Sequence, residues 1–204
     1  MEKSNYNQKI KIAFIGDNGV GKTLLFMRVN NLIKNKDNYK FPKEFILEKE
    51  NLINNNTNNG CLVNEKEIKI EDENNVYHLE IWDLSNTFNT FRFNRFPVTR
   101  KFYFVNDAQI IIICCEPRFP KTIETMKILY DISKIRADPY SIFVLCVTKS
   151  DLNYSEEELN DIRKYANDNG LELILTSSFK EDYGLGDNIL KKFIIQYNKK
   201  KNLK

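Results

Sequence analysis

No apolar run in this 204-residue chain is long enough to span a bilayer. Only four cysteines occur, Cys61, Cys114, Cys115 and Cys146, and no two of them form a C-x-x-C pair. Three of them sit inside apolar runs, so buried free thiols are expected rather than a disulfide framework or a zinc site. Net charge is only +3, too small to indicate nucleic acid as a partner. His78 is the sole histidine. It falls mid-strand on the face that carries Trp82, where structural or surface use is expected rather than catalysis. No signal peptide is evident. Glu2 follows Met1 where N-myristoylation needs glycine, and the closing "NKKKNLK" offers no cysteine to prenylate. A soluble, cytoplasmic protein is expected.

What is present is the composition of a folded domain. Hydrophobic residues make up 42% and charged residues 29%, which is globular rather than disordered. The length suits a single domain over 1–204 with a full core, and 1–8 and 199–204 are expected to be flexible tails. No internal repeat or linker divides it. The asparagine-rich "NNNTNNG" is compositional bias inside a polar loop over 36–60.

Periodicity supplies the elements. "KIKIAFI" at 9–15 reads as a strand, and after a glycine-rich turn Leu24, Leu25, Phe26, Val29, Leu32 and Ile33 predict a helix to about Asn35. Alternating runs near 61–70 and 76–82, joined by "EDENN", predict a hairpin. "AQIIIICC" at 108–115 and "SIFVLCVT" at 141–148 are continuous apolar runs, as strands buried on both faces require. Helices are expected over 121–136, from Ser155 to Gly170, and finally to about Asn198 after the strand "LELIL". Ser155 and the acidic run Glu156, Glu157 and Glu158 suit the start of the middle one. The order predicts an α/β fold: a six-stranded, mostly parallel sheet with one antiparallel hairpin strand and helices on both faces.

The turn after the first strand reads Gly16-Asp17-Asn18-Gly19-Val20-Gly21-Lys22-Thr23, matching G-x-x-x-x-G-K-[ST] between a strand and a helix. Successive backbone N–H groups in such a loop form an anion nest, and the helix N-terminus adds positive potential. Lys22 would neutralise β- and γ-phosphates, and the Thr23 hydroxyl would ligate Mg²⁺. Asp83, closing the second hairpin strand, is placed to hold Mg²⁺ through water. Taken alone it would be an ordinary strand-end aspartate. Thr148-Lys149-Ser150-Asp151 follows a buried strand.

With that last motif the chain resembles a small GTPase of the Ras superfamily, most like the Rab branch. "GDNGVGKT", "IWD", "TKSD" and "TSS" at 176–178 occur in family order, as does the unit "IRKYANDNGLELILTSS", and the likeness covers residues 9–198. It implies a P-loop G domain that binds GTP and GDP with Mg²⁺. It also implies that Asp151 accepts hydrogen bonds from guanine N1 and the 2-amino group, a donor edge that adenine lacks. The Lys149 stem would cover the base, Thr148 stands where asparagine is usual, and the loop at Ser177 and Ser178 would meet the guanine carbonyl. Phe179 replaces the usual lysine there. The Rho branch also carries threonine at the Thr148 position.

Departures fall on the γ-phosphate side. The glycine of D-x-x-G is Asn86, and the glutamine that orients the attacking water is Thr87, as in some Rap-type proteins. Threonine is too short for that task. Asn18 adds bulk where an arginine finger would enter. Thr57 is the one candidate for the switch threonine that binds Mg²⁺. Hydrolysis is therefore expected to be slow or absent. The segment after Asp83 is longer than in Rab proteins and reads "FNTFRFNRFPVTRKFYF", with Arg92, Arg95, Arg100 and Lys101 among its aromatics. Such a surface suits an effector; equally, Phe96, Phe102 and Phe104 can pack a helix on the sheet. Effectors and regulators are expected at 36–60 and 84–107, nucleic acid is not, and the lysines from Lys191 to Lys204 would give only weak or partner-mediated contact with endomembranes. The rival functions are a nucleotide-insensitive scaffold using the aromatic segment and a P-loop kinase for a small substrate. "TKSD" and the lack of an arginine-rich late lid argue against the kinase.

Overall fold

In the computed structural model, described over residues 8–32, 57–58, 61–70, 75–84, 105–180, 182 and 184–203, the apolar runs form the middle of one sheet. In chain order the elements are β1 (Gln8–Gly16), α1 (Lys22–Val29), β2 (Thr57–Asn58), β3 (Cys61–Ile70), β4 (Asn75–Asp83), β5 (Ile110–Cys115), α2 (Pro120–Arg136), β6 (Ile142–Val147), α3 (Glu156–Asp168), β7 (Glu172–Leu175) and α4 (Asp187–Asn202). The strands lie side by side as β2-β3-β4-β1-β5-β6-β7. Pairing is parallel from β4 through β7, and antiparallel between β3 and β4 and between β2 and β3. The six expected strands and the single hairpin are present, and the two-residue β2 extends the edge.

Every residue of β5 is inaccessible to solvent, because helices cover both faces. Leu25, Phe26 and Val29 of α1 pack with Leu190, Phe193 and Ile194 of α4 on one face, over Ile112 and Cys114. Met126 and Leu129 of α2 pack with Leu159 and Ile162 of α3 on the other, over Ile113 and Cys115. Each buried Leu or Ile adds roughly 1.5–3 kcal/mol relative to exposure. Cys114, Cys115 and Cys146 are buried free thiols. His78 is half exposed on β4, with Nδ1 3.1 Å from Glu67 Oε1.

Helix ends depart from the periodic reading in two places. α1 stops at Val29, not near Asn35. Asn31 adopts a left-handed φ of 55°, the Leu32 N–H donates to the Met27 carbonyl, and the Asn31 N–H donates to the Arg28 carbonyl. This is a Schellman stop with asparagine in the glycine role. α4 continues to Asn202 rather than about Asn198, so the expected tail at 199–204 begins as helix. α3 starts as anticipated: Ser155 Oγ accepts from the Glu158 N–H, and the Glu158 carboxylate accepts from the Ser155 N–H. Among the described residues, no helix is long and apolar enough to cross a membrane.

Candidate functional site

β1 lies where the chain reverses direction across the sheet, with β4 on one side and β5 on the other. In open α/β sheets that crevice, beyond the carboxyl ends of the strands, is where ligands sit. The loop after β1 fills it. Gly16 has φ 150°, and a Cβ there would come within 2.4 Å of the Cys114 carbonyl oxygen, so the turn passes too close to β5 for a side chain. Gly21 has φ 99°, in the left-handed region, and it turns the loop into α1. No side chain caps α1 and no acidic residue occupies its first turn. The N-terminal N–H groups therefore face the loop, as an anion site requires.

Lys22 is buried, 3% exposed, and its ammonium donates to the Asp17 carbonyl at 2.5 Å. Burial pushes its pKa below the ordinary lysine value, while the Asp83 and Asp17 carboxylates act in the opposite direction. The Thr23 hydroxyl donates to Asp83 Oδ2 at 2.7 Å, joining the start of α1 to the end of β4. Asp83 is 1% exposed. Hydroxyl and carboxylate oxygens are hard donors, the type that Mg²⁺ takes alongside phosphate, so this pair fits the ion. Asp17 also reaches α2, where Thr125 Oγ1 donates to its Oδ2 at 3.3 Å.

A second cluster forms beyond β6. Thr148 is buried, 3% exposed. Its hydroxyl meets the Val20 carbonyl and lies 3.1 Å from the Cys115 carbonyl, which ties the P-loop to β5 and β6. Lys149 adopts a left-handed φ of 57°. Its Cε is 3.9 Å from the place a Gly21 Cβ would occupy, so its stem runs beside the nest. Asp151 is half buried, and its Oδ1 accepts from Ser177 Oγ at 2.5 Å. Ser177 is 1% exposed and its oxygen also accepts from the Phe179 N–H at 3.2 Å. The Ser150 N–H donates to the Thr176 carbonyl at 2.9 Å, joining the two loops, and Ser178 lies half buried beside Ser177.

Asp17, Asn18, Gly19, Val20, Gly21, Lys22, Thr23, Asp83, Thr148, Lys149, Asp151, Ser177 and Ser178 thus gather at the carboxyl ends of β1, β4, β6 and β7. Thr57 does not join them by its backbone. It is opposite Leu62, which is opposite Asp83, so it lies two strand spacings from the Thr23–Asp83 pair, about 10 Å. Ser85, Asn86, Thr87 and the aromatic run to Phe104 lie outside the described residues, as do 36–56.

Four residues in this neighbourhood escaped the sequence reading. Glu116, just past β5, pairs with Lys149 at 2.7 Å. Arg118 donates to the Leu152 carbonyl at 2.8 Å and lies over the Tyr154 ring. The Tyr154 hydroxyl donates to the Thr148 carbonyl at 2.8 Å, and burial raises its pKa. Arg28, near the end of α1, donates to the Lys180 carbonyl at 2.7 Å. For Glu116 the signal was available: a charge directly after a wholly apolar strand, level with the other site residues. A cavity of about 660 Å³ also opens at the opposite end of the sheet, beside Tyr130, Phe143 and Lys200, away from this cluster.

Compared with protein-family models, residues 11–151 match the family described as "Ras of Complex, Roc, domain of DAPkinase". A search of curated proteins found no match.

Proposed function

The chain belongs to the Roc family of Ras-superfamily GTPase domains, and from that premise we propose that it is a guanine-nucleotide switch that binds GDP and GTP with Mg²⁺ and turns GTP over slowly. One observation carries the base assignment: a buried hydroxyl, Ser177, fixes a carboxylate, Asp151, at the mouth of the site. A fixed carboxylate only accepts, which suits the N1–H and amino group of guanine and leaves adenine without a partner.

The remaining residues take the other end of the ligand. Backbone N–H groups of Asp17, Asn18, Gly19, Val20 and Gly21 cradle the phosphates. Lys22 exchanges the Asp17 carbonyl for phosphate oxygens, which moves its charge from a weak partner to a strong one. Thr23, with Asp83 acting through water, would hold Mg²⁺, which supplies positive charge to the β- and γ-oxygens. Lys149 lays its stem along the base, and Ser178 contributes the loop that meets the guanine carbonyl. Slow hydrolysis follows from Thr87, Asn86 and Asn18, none of which replaces the water-orienting glutamine.

The motif sequences resemble those of Rab proteins, which supports a role in vesicle trafficking or signalling. Partners would read 36–60 and 84–107, and contact with endomembranes would be weak or made through them. The test is to identify the nucleotide that copurifies with the protein. GDP or GTP is expected. An adenine nucleotide would point to the kinase reading, and failure to bind any added nucleotide would point to the scaffold.

A further inference from the structure

We propose that Glu116 is a positioning residue for the nucleotide, acting through Lys149; this rests on the guanine-nucleotide reading of the site. Glu116 is the first residue after β5, and its side chain is 4% exposed. A buried carboxylate is costly without a paired cation. Its cation is Lys149, at 2.7 Å from Oε2.

The two partners differ in mobility. The Glu116 N–H donates to Thr122 Oγ1 at 3.0 Å, and the Glu116 carbonyl accepts from that hydroxyl at 2.7 Å. Thr122 lies in the first turn of α2 and is itself 6% exposed. Glu116 is therefore fixed to the scaffold at its backbone and by burial. The Lys149 side chain is 34% exposed and has a long flexible stem. Anchoring the ammonium on Glu116 settles where the stem lies. It passes 3.9 Å from the position of a Gly21 Cβ, along the edge of the phosphate nest and beside Thr148. The charge is drawn to the sheet side, and the methylenes form the apolar surface offered to a purine. Without Glu116 the ammonium would regain its rotamers and ordering them would fall to the ligand.

The anchor belongs to a wider brace from the segment after β5. Arg118 holds the Leu152 carbonyl, so the "TKSDL" loop is gripped at two points by residues only two apart in the chain.

A double-mutant cycle tests the proposal, using fluorescent GDP with wild type, Glu116→Gln, Lys149→Met and the double variant. Glu116→Gln is expected to raise Kd about tenfold, the scale of ordering one long side chain. In the Lys149→Met background the same change should alter Kd by less than about twofold. Equal losses in both backgrounds, or no loss in either, would overturn it. Wild type that binds no guanine nucleotide would refute the site reading together with this inference, whereas a tightly binding wild type with an additive cycle refutes the inference alone. Should Lys149→Met fail to fold, pyrophosphate binding by Glu116→Gln decides the matter. An unchanged pyrophosphate Kd beside a weakened GDP Kd supports action at the base end, and equal weakening of both overturns it.

Discussion

Replacing Ser177 with alanine should weaken GDP binding while leaving ADP binding as poor as before. The hydroxyl makes two contacts, donating to Asp151 Oδ1 at 2.5 Å and accepting from the Phe179 N–H at 3.2 Å. A hydrogen bond to a charged group contributes about 1.5–3 kcal/mol when nothing replaces it. Here water can replace it, because Asp151 is only half buried. What is lost for binding is mainly the fixed rotamer of Asp151. Re-ordering one side chain costs about 0.5–1.5 kcal/mol, which is about a two- to tenfold rise in Kd. Adenine offers the carboxylate no donor pair, so ADP should not respond. Calorimetric titration of both nucleotides into wild type and Ser177→Ala measures this. A GDP affinity that does not change, or equal losses for GDP and ADP, would refute the assignment of Asp151 as the guanine acceptor.

Asp151→Asn should move preference from guanine toward xanthine nucleotides, because the amide presents a donor where the carboxylate only accepts; competition binding with XDP checks it. Lys22→Ala should weaken GTP by about 10- to 150-fold through loss of a charge-assisted bond, while apo stability changes little or rises because a buried ammonium is removed; titration and melting read the two separately. Thr87→Gln, alone or with Asn86→Gly, should raise single-turnover phosphate release, and no gain in the double variant would mean that hydrolysis is limited elsewhere. Stability to urea should fall as pH rises above 9.0, because burial holds the Cys114 and Cys115 thiols protonated beyond that ordinary value and unfolding releases their protons. Tyr154, Tyr197 and Tyr165, the last pushed up to about 12, add to the fall from 10.0 upward, whereas Lys22, held below 10.5, has the opposite slope. Cys115→Ala should flatten part of the decline.

The parts legible in the sequence were those whose physics is local. β5 and β6 are covered on both faces, so each is a short, unbroken apolar run rich in β-branched residues, the pattern that favours a buried strand over a helix. The α3 capping box joins residues three apart. The P-loop places its whole anion nest within one turn. The parts that stayed hidden depend on contacts between distant residues or on backbone conformation. Glu116 and Lys149 stand 33 positions apart, and Arg28 and Lys180 stand 152 apart. Each pair meets only after the sheet has formed. The stop of α1 is masked because Leu32 and Ile33 continue the helical period past Asn31, which outweighs the one cue in the letters, an asparagine able to adopt positive φ. The Thr148 hydroxyl meets the Val20 carbonyl 128 positions away, a contact that the motif by itself does not show.

Cys114 and Cys115 are neighbours in sequence and both are inaccessible, yet one belongs to the side chains beneath α1 and α4 and the other to those beneath α2 and α3. That alternation makes the floor of the site a two-channel clock. An alkylating reagent would reach the first thiol through opening of the face that carries α1, α4 and the Val20 loop, and the second through opening of the face that carries α2 and α3. Peptide mapping after timed labelling would then date the opening of each layer separately, and adding GDP would show which one the ligand slows.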